Sequence, residues 1–94
     1  MRINEIRIPG YVLQKLQWKH HVSQEEIKQV LDGKPRLFFV ETGETDGEHV
    51  YLALGKSQAG RYLSVFFIYK RSGSAIIISA RDMAQKERRR YEKK

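Results

Sequence analysis

Residues 36–79 hold four apolar runs rich in β-branched and aromatic side chains, separated by clusters of Gly, Ser, Thr and Asp. Period and punctuation are those of strands, so the middle of the chain is committed to a sheet. The runs are Leu37-Phe38-Phe39-Val40, Val50 to Leu54, Tyr62 to Tyr69 and Ile76 to Ser79. Residues 42–47, 55–60 and 71–74 supply the turns. Connections this short join neighbouring strands, which predicts a four-stranded antiparallel meander. Tyr62–Tyr69 is the longest and most apolar run and is expected at the centre.

Two helices are expected ahead of the sheet. Pro9-Gly10 breaks an imperfect alternation of Ile3, Ile6 and Ile8, which allows a short extra N-terminal strand. Tyr11 to about Lys19 then places Val12, Leu13 and Leu16 on one helical face, and Trp18 is expected in the core. Ser23-Gln24-Glu25-Glu26 is a capping box, with Val22 and Ile27 placed to close over it as a hydrophobic staple. Ile27, Val30 and Leu31 face inward, Gly33 is expected to end the helix in a left-handed conformation, and Pro35 prevents continuation.

The last two dozen residues change character abruptly. Three isoleucines, Ile76-Ile77-Ile78, suit a strand covered on both faces, and Gln85 onward is all good helix formers. Ser79, three residues before Asp82, reads as a helix N-cap, which puts Arg81 at the joint. The expected fold class is therefore α+β: two N-terminal helices, the meander and a C-terminal helix. Helices from both ends would pack on one face of the sheet and leave the other partly open to a ligand. Residues 1–94 make one domain, with 86–94 its basic helical end.

Charge narrows the function. Lys and Arg total 18 against 11 Asp and Glu, a net charge of +7, and seven of those cations against three acids fall in residues 81–94. A localised basic face favours a polyanion or an acidic protein partner, although a solvated helix that only aids solubility has the same composition. There is no cysteine, hence no disulfide framework and no thiolate metal site, and an intracellular, cytoplasmic setting is expected. No apolar run is long enough to span a membrane, and charged residues interrupt every apolar stretch of the N-terminus, unlike a signal peptide. His20 and His21 are adjacent, and His49 is distant from them in sequence with no obvious acidic companion, so neither a metal site nor any other cofactor is expected. No glycine-rich phosphate loop and no Ser-His-Asp or Cys-His arrangement is present.

What remains is a set of basic and aromatic residues: Lys15, Lys19, His20, Arg61, Tyr69, Arg81, Arg88 and Tyr91. Guanidinium and ammonium groups hold phosphates and rings stack on unpaired bases, so the set suits RNA. It also suits RNA cleavage, in which the 2′-hydroxyl attacks the neighbouring phosphorus with help from a base, an acid and fixed cations. Each residue has a plainer reading. His20 can simply end the first helix, Arg61 can be a solvated hairpin residue, Arg81 can pair with Glu87 or Asp82, and Tyr91 can pack the last helix on the sheet.

Three blocks carry a resemblance. Lys19-His20-His21-Val22-Ser23-Gln24-Glu25-Glu26 is the first. Gly47 to Ser57 with Gly60-Arg61-Tyr62-Leu63 is the second, and Ile78-Ser79-Ala80-Arg81-Asp82-Met83-Ala84 ending in Glu87-Arg88-Arg89-Arg90-Tyr91 is the third. In this order they resemble the BrnT family of ribonuclease toxins from type II toxin–antitoxin pairs, whose fold is RelE-like. The resemblance implies a metal-independent endoribonuclease that arrests growth. It implies neutralisation by a cognate ribbon-helix-helix antitoxin, and leaves room for a homodimer within the toxin–antitoxin complex. Carried over by position, Lys19, His20, Arg61 and Arg81 are the catalytic candidates, with Ser79, Glu87, Arg88 and Tyr91 in support. The chain departs from the family at Ile6–Tyr11, where an aromatic-Glu-Trp-Asp stretch is usual, and at His21, where the family has glycine. The competing reading is a non-catalytic basic module that binds RNA or protein.

Overall fold

The computed structural model describes residues 1–43 and 47–93. Residues 44–46 of the turn expected at 42–47, and Lys94, lie outside the described residues. The order is β1 (Glu5–Arg7), α1 (Gly10–Lys15) running into a π-helical turn (Leu16–His20), α2 (Gln24–Asp32), β2 (Arg36–Glu41), β3 (His49–Lys56), β4 (Tyr62–Tyr69), β5 (Ser74–Asp82) and α3 (Gln85–Glu92). The sheet order is β1-β5-β4-β3-β2. Strands β2 to β5 form the antiparallel meander, and β1 adds a fifth strand parallel to β5. Among the described residues no helix is long and apolar enough to cross a membrane.

One face of the sheet holds the main core. Leu63, Val65 and Phe67 of β4, Ala75, Ile77 and Ala80 of β5, and Ala53 of β3 meet Val12, Leu16, Val22, Ile27, Val30 and Leu31 from the N-terminal helices. α2 begins as its residues dictate: the Glu26 amide donates to Ser23 Oγ at 3.1 Å and the Ser23 amide donates to Glu26 Oε1 at 3.1 Å. Two amide donors that a helix start leaves unpaired are thereby satisfied.

Four expectations need correction. Ser79 is not a helix cap. Pairing of β5 with β4 continues to Leu63–Asp82, so the strand extends past Arg81 and α3 starts only at Gln85. Glu87, not Asp82, turns back on the helix start, accepting from the Ala84 amide at 2.8 Å.

The helices do not share one face. Ser64 lies between inward-facing Leu63 and Val65, so strand alternation points it to the far side, and there its hydroxyl donates to Glu87 of α3 at 2.9 Å. α3 therefore covers part of the face that was expected to be partly open to a ligand.

Trp18 is 82% exposed rather than in the core. The π-turn widens the helix after Lys15, Leu16 takes the buried position, and the indole is carried out to solvent. Finally, Gly33 has φ −92° and the left-handed residue is Lys34, at φ 61°. Glycine is required at 33 for space instead: a Cβ there would stand 2.7 Å from the Gln29 carbonyl oxygen.

Candidate active site

Strand alternation sorts the sequence-derived residues into two groups. Leu63 pairs with Asp82 and Ser64 with Arg81, so Asp82 points to the face of the N-terminal helices and Arg81 to the face of α3. Between Phe66–Ser79 and Phe67–Ile77 the register shifts, which leaves Ile78 as an extra, 42% exposed residue at the sheet margin. Such a bulge turns the strand and re-aims its side chains. β1 pairs with β5 only as far as Ile76, and among the described residues no strand lies against the outer edge of β5 beyond it.

Beside that edge lies a cleft of about 300 Å³ between the first helix and β5. Lys15, Lys19 and His20 line one wall, Ile78 and Ser79 the other, and Tyr11, 78% exposed, stands at the rim. Three of the expected residues, Lys19, His20 and Ser79, thus meet. The π-turn is what brings them there, because its extra residue per turn lets Lys15 and both Lys19 and His20 reach the same groove.

Arg61 belongs to this side of the sheet but presents no free donor to the cleft. Its Nε donates to Asp82 Oδ1 at 2.7 Å, and Nη2 donates to Asp82 Oδ2 at 3.2 Å and to the His20 carbonyl at 2.8 Å. Nη1 donates to the His21 carbonyl at 2.6 Å and to Glu26 at 3.3 Å. The hydrogen bond from Arg61 holds the Asp82 carboxyl below its usual range, with His20 adding a smaller electrostatic contribution. The hydrogen bond to Asp82 in turn holds the guanidinium more firmly protonated, against the cost of burial.

Arg81, Glu87, Arg88 and Tyr91 form the second group, on the opposite face. Arg81 makes a two-pronged pair with Glu87, at 2.6 and 2.8 Å, and its guanidinium lies 5.5 Å from the Phe66 ring centre. Arg88 lies over the Tyr62 ring at 3.7 Å and Tyr91 meets the same ring edge-on at 6.0 Å. At the other end of α3, Arg36 Nη1 donates to the carbonyls of Arg90, at 3.0 Å, Tyr91 and Lys93. In this arrangement the four residues fasten α3 to the sheet. Arg81 is held by Glu87 over the Phe66 ring, while His20 stands in the cleft at the outer edge of β5, so Arg81 is engaged by a carboxylate rather than free for a phosphate shared with His20.

The Arg81–Glu87 pair has a measurable consequence. Burial raises the Glu87 carboxyl, but hydrogen bonds from Arg81, the Ala84 amide and Ser64 outweigh it and the net displacement is downward. A carboxylate held low stabilises the fold above its ordinary value, about 4.3, and that stability is lost as pH falls through the folded-state value. Glu87→Gln should therefore be less stable than the parent at pH 6 by about 1–2 kcal/mol. The gap should close towards pH 3 in thermal unfolding followed by circular dichroism. A gap that stays constant with pH would show that the charge on Glu87 is not what fastens α3.

Sequence reasoning missed Asp82 and Glu26 as partners of Arg61, and Arg36 as the clamp on the end of α3. The residue separations involved, 21 and 35 for the first two, leave no local signal. Only the capping role of Glu26 was readable.

These features define a class: a small basic α+β domain with a lysine–histidine cleft at an open sheet edge and an arginine-rich helix on the opposite face. A family model described as "Ribonuclease toxin, BrnT, of type II toxin-antitoxin system" matches residues 13–87, and the chain belongs to that family. The fold matches the crystal structure of the Brucella abortus ribonuclease toxin BrnT, with TM-score 0.63 and 18% sequence identity. The match covers 86% of this chain and 97% of that one. No curated protein sequence matches the chain significantly.

Proposed function

We propose that the chain is the endoribonuclease toxin of a type II toxin–antitoxin pair, acting on cytoplasmic RNA without a metal ion. Membership of the BrnT family makes ribonuclease chemistry the prior expectation. The observation that carries the reading is the meeting of Lys19, His20 and the Ser79 wall in one cleft. An RNA strand laid along the open edge of β5 would bring a phosphodiester to that cleft. His20, as neutral imidazole, takes the proton of the 2′-hydroxyl as its oxygen attacks phosphorus. The Lys15 and Lys19 ammonium groups offset charge growing on the non-bridging oxygens. The bond to the 5′-oxygen breaks, that oxygen takes a proton from water, and the products are a 2′,3′-cyclic phosphate and a 5′-hydroxyl. Tyr11 at the rim offers a ring for an unpaired base.

The partner in this reading is a cognate antitoxin with a ribbon-helix-helix part, encoded next to the toxin and able to hold it inactive, with a toxin homodimer allowed inside the complex. Induced expression in a bacterial host tests it. Growth should stop and total RNA should fragment when the chain is expressed alone, and both effects should vanish when the neighbouring gene is co-expressed. Unimpaired growth with intact RNA at full expression would refute it.

One observation favours the second reading, a non-catalytic basic module: both Arg61 and Arg81 are engaged by carboxylates rather than open to phosphate. That reading predicts salt-sensitive RNA binding with no fragments and no growth arrest.

A further inference from the structure

His21 is a non-glycine residue in the left-handed region, at φ 53°. A side chain makes that conformation costly, and glycine is its ordinary occupant just past a helix end. His21 closes the π-turn: its own amide and that of Val22 both donate to the Leu16 carbonyl, Val22 at 3.1 Å. The carbonyls of His20 and His21 face outward from the turn, and Arg61 is the side chain that meets them, at 2.8 and 2.6 Å.

A guanidinium has five N–H donors, and here every one is assigned. Two go to these carbonyls, two to the Asp82 carboxylate and one to Glu26. Arg61 is itself anchored, since its amide donates to Ser57 Oγ at 3.1 Å. The charges argue the same way. Asp82 and Glu26 together outweigh the single positive charge of Arg61, so the cluster has no surplus to attract phosphate. A phosphate ligand needs free donors and a positive surplus, and Arg61 has neither.

We infer that Arg61 is a positioning residue. It clamps the His20–His21 backbone, holds His21 left-handed and so fixes the direction in which the His20 imidazole enters the cleft. Asp82 and Glu26 hold the clamp, which ties the start of α2 and the end of β5 to the same turn. The catalytic consequence rests on the reading of His20 proposed above. The clamp itself does not.

The test uses the full chain as parent, Arg61→Ala, Arg61→Lys, His21→Gly and the double variant Arg61→Ala with His21→Gly. Lysine keeps the charge but cannot span two carbonyls, and covers the case in which the alanine variant fails to fold. The first readout is amide hydrogen exchange at Val22, which needs no activity. Exchange should quicken at least about tenfold in both Arg61 variants, and glycine at 21 should restore most of the protection, because it adopts the turn unaided. The second readout is cleavage of a defined single-stranded RNA. Here kcat should fall about tenfold or more with KM changed less than about twofold, and the glycine variant should recover it in part. Unchanged protection at Val22 in both Arg61 variants overturns the clamp. So does a rise in KM with a shallower salt dependence and no rescue by glycine, the pattern of a lost phosphate contact. Absence of cleavage by the parent would count against the nuclease reading alone, since the exchange measurement still decides the clamp.

Discussion

Replacing His20 with alanine should reduce RNA cleavage by about 100- to 10,000-fold, the range for loss of a general acid or base. The fold should be spared. His20 sits at the end of the π-turn, and the contact through which it supports the structure is its carbonyl, held by Arg61 at 2.8 Å. Alanine keeps that carbonyl and is a better helix former than histidine. Lys19→Ala should cost less, about tenfold, because Lys15 shares the same wall and supplies a second ammonium. Rates on a defined RNA, with unfolding curves of both variants beside the parent, check this. Cleavage by folded His20→Ala at the parent's rate would remove the imidazole from the mechanism.

Phe67→Ala should be the most damaging single truncation in the core, at about 3–5 kcal/mol. The ring is fully buried on the central strand β4, stacked against Tyr51 at 6.0 Å and paired across the sheet with Ile77. Neighbours on both flanking strands are fixed by backbone pairing and the helical layer is packed against them, so the cavity cannot collapse fully. A domain of this size has roughly 5–15 kcal/mol in total. The loss should lower the melting temperature by more than about 12 °C and leave the variant partly unfolded near 40 °C. Phe39→Ala is the control: that ring is 57% exposed and meets His49 and Tyr51 only edge-on, so it should cost less than about 1 kcal/mol. Comparable losses at the two positions would mean that the core is not arranged as described.

The sheet was legible because its information is local. Tyr62–Tyr69 reads as a strand from its own residues, and the observed β4 has the same bounds. The capping box at Ser23–Glu26 was equally readable, since both of its hydrogen bonds close within three residues. The side of the sheet on which a helix lands is a different kind of fact. α3 goes to the far face because β5 runs on to Asp82, and that depends on pairing with β4 rather than on the Ser79–Asp82 spacing. Trp18 shows the same limit: a regular helix would have turned it differently, and the π-turn that exposes it leaves no mark in the hydrophobic period.

The site was legible in part for the same reason. Lys19 and His20 are neighbours in sequence and stay neighbours in the cleft. Arg61 and Arg81 both read as free cations because their carboxylate partners could not be matched to them from the chain alone. Glu87 was a named alternative for Arg81, but nothing in the sequence decided between it and phosphate. Once the partners are seen, Arg61 changes from a candidate phosphate ligand to a brace for the backbone, and Arg81 to a fastener of α3.

The most direct test of the central claim is to map the ends of RNA fragments made by the purified chain in EDTA. A strand cut at the His20–Lys19 cleft should leave 2′,3′-cyclic phosphates and 5′-hydroxyls at full rate in the chelator, and none in His20→Ala. No fragments from the folded parent, or 3′-hydroxyl and 5′-phosphate ends that disappear with EDTA, would contradict it.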